Sequence, residues 1–69
     1  MLNTLLTKFG VTVYVDGSYH WVGVLAYNTE RAALAAEAAI VDILTPRGHV
    51  FEDVPTAVDV TELIPGLDY

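Results

Sequence analysis

The stretch Val11-Thr12-Val13-Tyr14-Val15-Asp16-Gly17-Ser18-Tyr19-His20-Trp21-Val22-Gly23-Val24-Leu25-Ala26-Tyr27 decides the fold. Its first five residues alternate and are rich in β-branched and aromatic side chains, the composition of a strand. Asp16-Gly17 is the strongest turn signal in the chain and suits a type I′ hairpin. The run that follows is a longer return strand. A two-residue loop sets Val15 opposite Ser18, Tyr14 opposite Tyr19, Val13 opposite His20, Thr12 opposite Trp21 and Val11 opposite Val22. One face then carries Val11, Val13, Val15, His20, Val22, Val24 and Ala26, and suits a covering helix. The other carries Thr12, Tyr14, Tyr19, Trp21, Leu25 and Tyr27, with Gly23 as a gap. A slip of one residue would exchange the two faces.

The covering helix is read from Thr29-Glu30-Arg31-Ala32-Ala33-Leu34-Ala35-Ala36-Glu37-Ala38-Ala39-Ile40-Val41-Asp42-Ile43-Leu44. Asn28 or Thr29 caps it, and Glu30 complements the dipole of its first turn. Helical spacing puts Ala32, Ala36, Ala39, Ile40 and Ile43 in one stripe, with Ala33 and Leu44 on its edge. Glu30, Arg31, Glu37, Asp42 and Thr45 mark the wet side, yet Leu34 and Val41 also lie there, beside Ala38. Pro46 stops the helix, and Arg47-Gly48 turns the chain.

Beyond the helix, His49–Val54 alternates and reads as a strand ended by Pro55. Ala57–Thr61 reads as a fourth short strand, with Thr61–Ile64 as a competing helical turn. Before the hairpin, Leu2, Leu5 and Leu6 have helical spacing in a segment too short to be stable alone. Residues 1–9 are therefore expected to be an arm or a helical turn, and residues 66–69 a loose tail. The fold expected is one α+β domain over residues 1–69, a small antiparallel sheet on one central helix in the order β-β-α-β(-β).

Sixty-nine residues include no cysteine, so neither a disulfide nor a thiolate metal site supports the fold. A domain of this size buries only about 60% of its unfolded surface. Its 54% apolar content is therefore a surplus, most simply used in self-association, with a homodimer favoured. No segment is long and apolar enough to cross a membrane, and no signal-peptide pattern opens the chain, so a cytoplasmic location is expected.

Nine acidic residues against three basic ones give a net charge of −6. Lys8, Arg31 and Arg47 form no cluster, which disfavours direct nucleic-acid binding unless an oligomer pools its arginines. The acids also suit a partner protein with a basic surface. An acidic nucleic-acid mimic would require Glu30, Glu37, Asp42, Glu52, Asp53 and Asp59 in one stripe.

Catalytic and metal chemistry lack a pattern. His49 and Asp53, if extended, lie about 13 Å apart along a strand, too far to share an ion. Glu52 and Asp53 point to opposite faces of a strand, and Glu37 and Asp42 diverge by roughly 140° around a helix. Ser18 and His20 lack an orienting third group. The expectation is a non-catalytic accessory or regulatory protein with no cofactor and no metal. Its interface is drawn from Tyr14, Tyr19, Trp21, Leu25 and Tyr27 on the sheet and Leu34, Ala38 and Val41 on the helix, because exposed aromatics bury large area and keep a polar handle.

Overall fold

A computed structural model describes residues 6–63, and in it Asp16 has φ 44° and Gly17 φ 92°, the two positive angles of a type I′ turn. The turn joins β1 (Thr7–Val15) to β2 (Ser18–Ala26). Their register runs as the two-residue loop dictates, from Val15–Ser18 through Val11–Val22, and continues to Thr7–Ala26. Thr7, Lys8 and Phe9 thus belong to the strand and not to an arm or helical turn. Phe9 decides this: it continues the odd-numbered row of β1 and is only 3% exposed. Residues 1–5 and the expected tail at 66–69 lie outside the described residues.

The helix α1 (Thr29–Leu44) begins where a side chain replaces a missing intrahelical partner: Asn28 Oδ1 accepts from the Arg31 amide at 2.9 Å. It covers the face formed by Phe9, Val11, Val13, Val15, Val22 and Ala26. Its buried row is Ala32, Ala36, Ile40 and Leu44, an uninterrupted i, i+4 series. The alanines place no bulk between helix and sheet. Two positions differ from the sequence reading. Ile43, expected in the buried stripe, is 43% exposed, because the sheet ends beneath this last part of the helix, where β2 borders an open cleft. Val41, expected on the wet side, is half-buried against the core.

The helix is rolled toward Val41 and Glu37, and the Oε2 of Glu37 accepts from the Ala57 amide at 2.8 Å. A short 3-10 turn (Thr45–Arg47) follows the helix, with Pro46 in its first positions and Gly48 closing it at φ 85°.

The segment His49–Val54 is not a strand. Its amides are drawn away from any ladder by Asp16, whose carboxylate accepts from the backbone of Glu52 at 3.0 Å and of Asp53 at 3.1 Å. The third strand is β3 (Thr56–Glu62), and Thr61 and Glu62 complete it instead of a helical turn. It lies antiparallel to β1 on the side away from β2, giving the order β2-β1-β3. A register shift opposite Thr12/Val13 leaves Val58 as an extra residue, a β-bulge. Val60 and Ala57 still reach the core.

Candidate functional site

The helix lies on one face of the sheet, and among the described residues nothing lies on the other. Alternation along β1 and β2 brings Tyr14, Tyr19, Trp21 and Leu25 to that open face, with Tyr27 just beyond the end of β2. All five are exposed, from 40% for Tyr14 to 69% for Tyr19. Tyr14 and Tyr19 are cross-strand partners whose rings meet edge to face, with centroids 5.1 Å apart.

Trp21 is held differently. Gly10 and Gly23 oppose one another across β1 and β2, and the indole lies along this glycine pair. A Cβ at Gly10 would fall 2.8 Å from Cε2 and 2.9 Å from Nε1 of the ring, closer than side chains tolerate. At Gly23 the nearest ring atoms would be 3.8 Å away, an ordinary contact. The glycine that looks like a gap in the sequence is half of a shelf for tryptophan.

Charge on this face is balanced. Among the strand residues that point to it, register places only Lys8 and Asp59, the latter opposite Thr12. Asp59 therefore lies on the opposite side of the sheet from Glu37 on the helix, and the six acids form no single stripe. Arg31 and Arg47, separated by the length of the helix, are about 24 Å apart and do not converge within one chain.

The remaining expected interface residues divide. Leu34 is 66% exposed on the outer side of α1, and Ala38 is exposed beside it. Val41 is not available there, since it packs against the core.

Two arrangements were not anticipated. Asp16 reaches across 33 residues to His49, accepting from its Nε2 at 3.0 Å in addition to the two amides. The Glu52 amide above all, with His49 and the Asp53 amide, holds the Asp16 carboxyl below its ordinary value against the opposing effect of desolvation. No local sequence signal distinguishes such a carboxylate from ordinary turn chemistry. The second is an open cleft of about 430 Å³ beside β2, with His20 and Arg47 at its rim and Ile40, Ile43 and Leu44 in its wall.

Among the described residues no group of three or more histidine and acidic side chains is placed to hold a metal ion, and no helix is long and apolar enough to cross a membrane. No family model, no curated protein and no solved structure matches the chain.

Proposed function

We propose that the chain is a non-catalytic accessory or regulatory module that binds protein through its open sheet face. The observation that carries this reading is the set of Tyr14, Tyr19, Trp21 and Leu25, 40–69% exposed, gathered on one face of the sheet. Contiguous apolar surface of this kind favours association, and tyrosine and tryptophan lose little conformational freedom when they are covered. Trp21 already packs along the Gly10 backbone, and a side chain resting on such a shelf has less freedom to lose on burial. Stacking on bases would call for cations beside the rings, and Lys8 alone does not supply them.

Affinity capture from host extract tests this with three baits. The native chain and a Leu34→Ser variant are expected to retain the same protein, while Trp21→Ser/Leu25→Ser loses it. Retention by the double variant at the native level would overturn the reading, as would loss on Leu34→Ser alone.

A further inference from the structure

The two edges of the sheet are built differently. β3 is blunted by Pro55 before it, by the bulge at Val58 and by Asp59 and Glu62 along it, the devices that prevent a strand from pairing further. β2 has none of these. Its nine residues, Ser18–Ala26, carry no formal charge and no proline, and they pair with β1 without a bulge. In a two-residue hairpin closed by Val15–Ser18, bonded and non-bonded pairs alternate, so the amides of Tyr19, Trp21, Gly23 and Leu25 point away from β1. Among the described residues no strand meets them.

Beside this edge Ile40, Ile43 and Leu44, at the end of α1, wall an open cleft. Ile43 is 43% exposed there because the sheet ends beneath it. The ionic surroundings decide what fits. In a chain of net charge −6, the cleft along β2 is lined by Arg47 and His20 and by no carboxylate. A second copy seated here brings no carboxylate of the cleft against another. A neutral strand is also complementary to itself when it pairs antiparallel across a twofold axis.

We propose that β2 pairs with β2 of a second copy, edge to edge, giving a continuous six-stranded sheet with both helices on one side and Ile43 covered by the partner. The dimer joins the two aromatic faces into one surface. It is a contact distinct from the face proposed above for binding protein.

Sedimentation equilibrium of the full chain is expected to give twice the 7.5 kDa chain mass. Gly23→Pro removes an outward amide without breaking a β1–β2 bond, and Ile43→Lys charges the cleft wall; both are expected to be folded monomers by circular dichroism. Leu25→Ser, on the aromatic face, is expected to remain dimeric. Hydrogen exchange of the native chain supplies a readout independent of folding in the variants. The Tyr19, Trp21, Gly23 and Leu25 amides are expected to slow at least about tenfold between dilute and concentrated samples. A native monomer at high micromolar concentration overturns the proposal. So does a dimer that persists in both edge variants, or one that Leu25→Ser alone dissociates, which would move self-association to the aromatic face. Failure of the edge dimer leaves the capture experiment with Trp21→Ser/Leu25→Ser unaffected.

Discussion

The indole of Trp21 occupies the space that a side chain at Gly10 would fill. The two residues are diagonal neighbours on β1 and β2, and each constrains the other: the ring needs a bare backbone beneath it, and the bare backbone is shielded from water by the ring.

The first prediction concerns this pair. Gly10→Ala in the native background is expected to displace the indole and shift its emission to the red, with stability changed by no more than about 1 kcal/mol because Trp21 is itself exposed. In a Trp21→Ala background the same substitution is expected to be neutral or stabilising by about 0.4–1 kcal/mol, since alanine narrows the unfolded ensemble. A double-mutant cycle by urea denaturation measures the difference. Equal effects in both backgrounds would show that the ring and Gly10 are not coupled.

Asp16 provides the second. Asparagine also tolerates the positive φ of the turn, but it offers one acceptor oxygen and no charge. Asp16→Asn is therefore expected to keep the hairpin and loosen the 48–55 loop. Faster amide exchange at Glu52 and Asp53, with unchanged protection in β1, is the expected signature. Loss of protection throughout β1 and β2 would mean that Asp16 holds the whole fold and not the loop.

The same carboxylate predicts a pH dependence. Its folded pKa lies below the ordinary 3.8, so its stabilising contribution is complete above the unfolded value and is lost as pH falls through the folded one. The native chain should therefore lose stability relative to Asp16→Asn below about pH 4, and the two curves should converge in stronger acid. A difference that stays constant from pH 7 to pH 2 would remove Asp16 as the titrating group.

On α1, three aspartate substitutions should rank by burial. Ile40→Asp places an unpaired charge where the native side chain is 3% exposed, at a cost above roughly 4 kcal/mol, enough to unfold a domain this small. Val41→Asp should cost about 1–3 kcal/mol, because Val41 is half-buried against the core. Leu34→Asp, at 66% exposure, should stay within about 0.5 kcal/mol of the native chain. Thermal denaturation by circular dichroism gives the order, and Leu34→Asp as damaging as Ile40→Asp would contradict this placement of the helix.

Glu37 is the last test. Glu37→Ala leaves the Ala57 amide without its 2.8 Å acceptor, which should cost about 1–2 kcal/mol. Glu37→Gln keeps an oxygen there and should recover most of it. Equal losses would assign the effect to charge instead of to the bond.

The hairpin was legible because its turn, alternation and register are all local: Asp16-Gly17 leaves one pairing compatible with the apolar row. The Asn28 cap was legible for the same reason. What escaped depends on partners distant in sequence. Helical periodicity alone cannot distinguish a stripe that takes in Ala39 and Ile43 from one rolled toward Glu37 and Val41. On that rolled side Glu37 meets the Ala57 amide of β3, a partner 20 residues away in the chain. The alternation of His49–Val54 resembles a strand, but its amides are taken by a carboxylate 36 and 37 residues earlier. At the candidate face, exposure of the aromatics followed directly from register, whereas the meaning of Gly10 required the position of the Trp21 ring.

The place of β3 beside β1 has a kinetic consequence. The hairpin closes over two residues and can form within microseconds, but Phe9 meets Glu62 only when a loop of about 50 residues has closed. Until then β1, the most buried strand of the native fold, has one bare edge and a half-covered row of Phe9, Val11, Val13 and Val15. Any state in which β3 has peeled away recreates that edge, so the latch between Glu37 and Ala57 protects the chain from aggregation as well as from unfolding.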